Sequence, residues 1–266
     1  MQEIALVEIT AVFILGALVG SFLNVCAYRL PKEESVIRPG SHCPHCKTPI
    51  KWYDNIPILS FLLLKGHCRY CGKPISWRYP LVELITAFLS VLVYLRFGLT
   101  PAYLGFFFMV AGLWVASIID LEYQIIPDEI SLPGILVGLF FSLYNPLTTP
   151  IDALLGALCG AGGLYLLAEF YYFFTKREGL GGGDLKLLAM IGAFLGVKSL
   201  IPVLFLASLV GAVIGIAAAL WQKAKDKRTF AIPFGPFLSL GAIVYLFFAS
   251  YLEPFSHSVS STVSAG

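Results

Sequence analysis

Residues 97–120 read FGLTPAYLGFFFMVAGLWVASIID, an apolar run that ends on an aspartate. From 97 to 119 it holds no Lys, Arg, Asp or Glu. A hydrocarbon core about 30 Å thick takes about 20 helical residues, so this stretch is long enough to cross a bilayer and leaves Asp120 at its edge. Four similar uncharged runs follow the same logic, at 9–28, 130–151, 199–222 and 229–252. Two weaker ones carry acids: 80–95 holds Glu83, and 151–175 holds Asp152 and Glu169. A short segment, 185–197, begins beside Lys186. The whole chain of 266 residues is 58% hydrophobic and 13% charged, with a mean hydropathy of +0.83. A soluble surface needs about twice that charge. These residues specify an all-α polytopic membrane protein. Disordered and fibrous classes are excluded. So is nucleic-acid binding, because a net charge of +2 gives no basic field.

Lys and Arg set the orientation. Nine of the 18 lie in residues 28–79, four more at 222–230, and Lys176 and Arg177 in 175–184. The opposite side holds Arg96 and Lys198. Keeping the basic loop 222–230 inside requires that 185–197 cross as well. The expectation is therefore eight spans with both termini outside. Residues 1–8 carry two Glu and no Lys or Arg, which is not the basic start of a cleaved signal peptide. The chain divides into a first transmembrane helix (1–27), a cytoplasmic loop domain (28–79), a multi-helix membrane domain (80–253) and a polar tail (254–266). No period of 20–50 residues repeats along the chain.

The loop domain carries Cys43-Pro-His-Cys46 and Cys68-Arg-Tyr-Cys71. Two CxxC knuckles supply four thiolates to one tetrahedral Zn²⁺, each knuckle turning tightly enough for both sulfurs to reach the metal. A reducing compartment disfavours a disulfide pair, and an iron centre with the same ligands stays open. His42, His45 and His67 flank a shell that four thiolates already complete. A closed site of four cysteines has no open position for chemistry, so its role is structural. Cys26 and Cys159 sit in apolar spans as small hydrophobes. Residues 56–64 (IPILSFLLL) are too short to span and form a small core of the loop or lie on the bilayer surface.

Ionisable residues at membrane depth point to function. Asp120 ends the third span, and Asp184 opens the sixth in Gly181-Gly-Gly-Asp184. Span parity puts both at the cytoplasmic face. Two carboxylates held close share one proton: the ionised one activates a water as base, and the protonated one polarises a carbonyl. That is peptide hydrolysis without metal or covalent intermediate. Asp184 alone is equally well read as a helix cap, whereas the macrodipole disfavours an anion at the end where Asp120 sits. Asp128, after Pro127, reads as a cap, and Glu83 is the next candidate for function.

Taken together, Gly20-Ser-Phe-Leu-Asn-Val25 with Arg29-Leu-Pro31, the two knuckles, Asn55-Ile-Pro57, Arg78-Tyr-Pro80 with Glu83, Asp120, Pro127-Asp128, Gly181-Gly-Gly-Asp184 and Ile232-Pro-Phe-Gly-Pro236 resemble the bacterial type IV prepilin leader peptidases. The motifs run in family order from residue 20 to residue 236. The resemblance implies an aspartyl endopeptidase of the inner membrane, with Asp120 and Asp184 in the catalytic positions. It implies cleavage of prepilins and of type II secretion pseudopilins at the cytoplasmic face, after a glycine that follows a short basic leader. It also implies N-methylation of the new first residue, usually phenylalanine, from S-adenosylmethionine. No Gly-rich nucleotide loop marks the cofactor's contacts. A proton-coupled transporter would show repeats and polar groups at mid-membrane, and a redox module would need iron at the four cysteines. The acids gathered at one face favour the enzyme over both.

Overall fold

The computed structural model describes residues 2–176, 181–221 and 233–252, and among these every regular element is helical. The expected loop 222–230, the tail 254–266 and Arg177 lie outside the described residues. The helices are α1 (Gln2–Arg29), α2 (Leu59–Leu63), α3 (Arg78–Phe97), α4 (Pro101–Tyr123), α5 (Asp128–Phe141), α6 (Pro150–Thr175), α7 (Gly182–Leu195), α8 (Leu200–Trp221) and α9 (Gly235–Leu252). Five of them, α1, α3, α4, α6 and α8, are long and apolar enough to cross a membrane. Helices form at the other three expected places, but α5 and α7 have 14 residues each. At 1.5 Å per residue they reach about 21 Å, less than the hydrocarbon thickness.

One expected span is corrected. Residues 130–151 do not form a single helix: α5 ends at Phe141, a 3-10 turn follows at Ser142–Tyr144, and α6 starts at Pro150. Asn145 precedes Pro146 and is held extended (φ −87°, ψ 122°), because proline excludes the helical conformation in the residue before it. The Asn145 side chain then donates to the Phe194 carbonyl at 2.6 Å and accepts from the Leu147 N–H at 2.8 Å, which fixes the turn. Elsewhere the signals are simple. Thr100 and Thr149 cap α4 and α6 with Pro101 and Pro150 in the first turn. Gly98 and Gly196, at φ 61° and 77°, follow the last residues of α3 and α7.

The chain divides into two compact units, Met1–Val137 and Gly138–Gly266. In the first, α1 packs along α3, and α4 packs against both. Lipid tails provide no hydrophobic drive between helices, so close approach must. Gly16 and Gly20 lie one turn apart on α1, and a Cβ on either would fall 2.7 Å from the backbone of α3, at Ala87 and Glu83. Ser90 of α3 donates to the Val12 carbonyl of α1 at 2.7 Å. Its single proton is thereby used, so the Tyr103 hydroxyl of α4 donates to it, also at 2.7 Å. Below this, Leu23, Ala27, Val82, Val115 and Ile119 form a buried cluster. In the second unit α7 packs along α6, with contacts to α8 and α9. Gly156 and Gly160 of α6 repeat the device, the second facing the Leu188 carbonyl at 2.7 Å from a would-be Cβ.

Gly162, also in α6, faces open space. Gly20→Ala and Gly160→Ala should each destabilise their unit by about 1–3 kcal/mol through overpacking. Gly162→Ala should instead stabilise by about 0.5–1 kcal/mol, the ordinary gain of alanine over glycine within a helix. Thermal unfolding in detergent checks the opposite signs.

Candidate functional site

The four cysteines converge. Cys43, Cys46, Cys68 and Cys71 bring their sulfurs within 4.8 Å of one another, and Cys43 and Cys71 are 3.9 Å apart. Metal–sulfur bonds of about 2.3 Å in a tetrahedron put sulfurs about 3.8 Å apart, so the group fits one metal ion. The two knuckles are built alike. In each, the amide of the first cysteine donates five residues ahead, Cys43 to Thr48 at 3.0 Å and Cys68 to Lys73 at 2.9 Å. The residue after the second cysteine turns back with positive φ, Lys47 at 58° and Gly72 at 66°. A short bridge closes each turn, His42 with Pro49 and His67 with Pro74. The sequence pattern repeats at an offset of 25, as His-Cys-x-x-Cys-x-x-Pro-Ile-x-Trp from His42 to Trp52 and from His67 to Trp77. The expectation that no period of 20–50 residues repeats is therefore corrected: the knuckle motif stands twice, 25 residues apart. His42 and His67 turn their Nδ1 atoms to the carbonyls of Gly40 and Lys65, and neither joins the cluster.

The sulfurs respond unequally to their surroundings. Hydrogen bonds from the Thr48 side chain and amide pull the Cys46 thiol down to about 6. The amides of Cys71 and Tyr70 lower that of Cys68. At Cys71 the Lys73 amide favours the thiolate, but desolvation and the neighbouring sulfurs outweigh it and push the thiol up to about 11. Four negative charges at this spacing conflict, and a cation at their centre removes the conflict. Between the knuckles, Arg69 grips Asp54 through both carboxylate oxygens at 2.6–3.0 Å, which holds the Asp54 carboxyl below its ordinary range. The expected small core of residues 56–64 forms in part. Ser60 and Phe61 are buried, with Phe61 edge-on to Trp77, while Leu59, Leu62 and Leu63 are exposed.

A cavity of about 650 Å³ lies inside the first unit, between the knuckles and the ends of α1 and α3. Ser21, Asn24 and Glu83 line it. Asn24 donates to the Tyr79 carbonyl at 3.1 Å, and its buried Oδ1 has no partner among the described residues. Glu83 is buried and accepts from the Ile58 amide at 2.7 Å. Arg29, also buried, donates to the carbonyls of Ser35 and Gly40 and ties the loop to the end of α1. Sequence reasoning singled out Glu83 but gave Asn24 no role, since an asparagine gains meaning here only from its burial.

Asp120 is buried in the last turn of α4, following the buried Ser117. Asp184 is half-buried in the first turn of α7, after the extended Gly181. Asp128 is the first residue of α5.

Comparison with known proteins bears on both units. A sequence model described as Bacterial Peptidase A24 N-terminal domain matches residues 14–97. One described as Type IV leader peptidase family matches residues 107–216. The Prepilin leader peptidase/N-methyltransferase of Neisseria gonorrhoeae is 39% identical, over 87% of this chain and 88% of its own. Its namesake in Xanthomonas campestris is also 39% identical, covering 90% of each chain, and that of Pseudomonas aeruginosa is 36% identical, covering 88% of each. No solved structure matches the chain.

The cysteine geometry generates a simple expectation. Purified protein should carry about one metal ion per chain, and Cys43→Ser with Cys46→Ser should release it. Elemental analysis of undenatured protein decides, and a metal-free wild type would overturn the reading of four cysteines as a metal site.

Proposed function

Because the chain belongs to the type IV leader peptidase family, we propose that it removes the leader of type IV prepilins and pseudopilins and then N-methylates the new first residue, with S-adenosylmethionine as methyl donor. It does so as a multi-pass protein of the bacterial inner membrane whose active site faces the cytoplasm. The observation that supports this most is the position of two carboxylates at helix ends, Asp120 in the last turn of α4 and Asp184 in the first turn of α7.

Helix ends differ in charge, and that divides the labour. The N-terminus of a helix favours an anion and its C-terminus disfavours one. The pair's negative charge therefore rests on Asp184 and its shared proton on Asp120. Asp184 takes a proton from water, and the oxygen attacks the carbonyl carbon of the leader's last glycine. Asp120 donates a hydrogen bond to the carbonyl oxygen as negative charge develops there. Collapse of the tetrahedral species then breaks the C–N bond, and the proton held at Asp184 passes to the leaving amine. The dyad titrates as a unit. The four thiolates hold Zn²⁺, which ties the two knuckles together and supplies folding energy to the loop domain. An iron site would instead colour the protein.

Methyl transfer needs a soluble donor beside the cut end, and the loop domain of residues 28–79 supplies its walls. Disrupting the knuckles should thus lower methylation more than cleavage.

Both parts are tested by mass-spectrometric time courses with a prepilin and S-adenosylmethionine. Asp120→Asn and Asp184→Asn should each abolish cleavage, with protein still accumulating in the membrane, while Asp128→Asn loses far less. Full cleavage by either of the first two overturns the dyad. For Cys43→Ser with Cys46→Ser, methylation of a pre-cleaved pilin should fall more steeply than cleavage. The reverse order would overturn the division of labour.

A further inference from the structure

The cavity of the first unit gathers residues that the peptidase chemistry leaves unused. Ser21, Asn24 and Arg29 come from α1, and Asn55, Ile56 and Ile58 from the segment between the knuckles. Glu83 of α3 lines the same space. At about 650 Å³ the volume falls within the range of small-molecule sites.

Two features mark the α1–α3 end of the cavity as built for a donor that is not part of the chain. Asn24 is 5% exposed, and its Oδ1 lacks a hydrogen-bond partner among the described residues. A buried acceptor left so is rare. Glu83 is 8% exposed. A carboxylate offers about four acceptor positions, of which the Ile58 amide and the Ser21 hydroxyl engage two. No ion pair to Glu83 forms among the described residues. Arg29, in the same wall, gives its guanidinium to carbonyls. The local backbone is also under strain. Ile58 adopts φ 62°, an uncommon conformation for a β-branched residue that needs outside support. Its amide is thereby turned onto Glu83.

A buried carboxylate and a buried carbonyl oxygen, both with acceptor capacity to spare, suit a cation with several N–H donors. We propose that this end of the cavity binds the α-ammonium group of the processed pilin, with Glu83, Asn24 and Ser21 as its acceptors, and so is the seat of methyl transfer. The assignment rests on the methylation reading above. Leu18, Phe22 and Val25 give the neighbouring wall an apolar surface, which suits an apolar side chain beside the ammonium group. Asp54, Thr48 and Arg69 make the knuckle end polar, which matches a soluble methyl donor.

Glu83 has a defined task there. An ammonium has no lone pair, so it must lose one proton before it can attack. Glu83 accepts that proton and passes it to solvent. The freed nitrogen lone pair forms the N–C bond to the donor's methyl group as the C–S bond breaks. The electron pair of that bond stays on sulfur, leaving a neutral thioether and a methylated ammonium.

Binding is measured on the purified full-length protein in detergent. The probe is a synthetic peptide with a mature pilin N-terminus, its amino group free or acetylated. The free amine should bind about ten- to a hundredfold more tightly than the acetylated form, as charge-assisted hydrogen bonds would give. Glu83→Gln should erase that preference and lower methylation of the free peptide at least about tenfold, with metal content and melting temperature unchanged. Asn24→Leu, which removes the unpaired oxygen, should reduce the preference without abolishing it, and it serves where the Gln variant folds poorly. If Glu83 instead faced the sulfonium of the donor, Glu83→Gln would weaken equilibrium binding of S-adenosylmethionine alone and keep the amine preference. That result overturns the assignment. So does a Glu83→Gln protein that keeps both the preference and the methylation rate of an active wild type. A wild type unable to methylate any pre-cleaved peptide overturns the methylation reading and this site with it.

Discussion

Close helix approach through glycine is the constraint on which the rest of this molecule depends. In a bilayer, apolar side chains gain nothing by turning from lipid to protein, so helices hold together by backbone proximity and a few buried hydrogen bonds. Gly16 and Gly20 let α1 lie against α3 with no room for a Cβ, and Gly156 and Gly160 do the same for α6 against α7. Each seam positions chemistry. The first fixes the register between the α1 face that carries Ser21 and Asn24 and the α3 residue Glu83, whose own Cα is the atom Gly20 meets. The second anchors α7, whose first turn carries Asp184.

The loop domain adds a second kind of constraint, because it is too small to hold itself together by burial. Only Cys43, Ser60 and Phe61 are well buried within residues 41–76. Order comes instead from the paired knuckles, the Asp54–Arg69 bridge and the anchoring of residues 35–40 by Arg29. A metal at the four sulfurs would replace the missing core. This explains how a short segment can keep Ile58 in a strained conformation and present its amide to Glu83.

Much of this was legible in the sequence. Uncharged runs mark the long helices because charge is expensive in hydrocarbon, and CxxC spacing marks the metal cluster because sulfur geometry is local. The break at Asn145-Pro146 was less visible, since no charge interrupts residues 130–151 and hydropathy does not register a turn. The twofold pattern of the knuckles was present in the sequence at an offset of 25, but it is confined to two copies of one short motif and so does not mark the chain as a repeat. The cavity could not be read at all. Asn24 and Glu83 are 59 residues apart in sequence, and their significance lies in burial and in an unmatched oxygen, both properties of the folded state. Glu83 drew notice only because an acid in a membrane span is unusual.

In the proposed reading the two activities divide between two sets of acids. Glu83 has a cavity and a strained amide around it, whereas Asp120 and Asp184 hold opposite helix ends, one disfavouring and one favouring negative charge. The central proposal is that these two aspartates act as one site and share a proton. Cysteine cross-linking in intact membranes tests it most directly, using Asp120→Cys with Asp184→Cys in a chain whose Cys26 and Cys159 are replaced by alanine. A short thiol-specific cross-linker should join positions 120 and 184 within a single chain, so that a protease cut between them no longer separates the fragments. Two cysteines that each react with a monofunctional reagent yet are never joined would contradict a shared site.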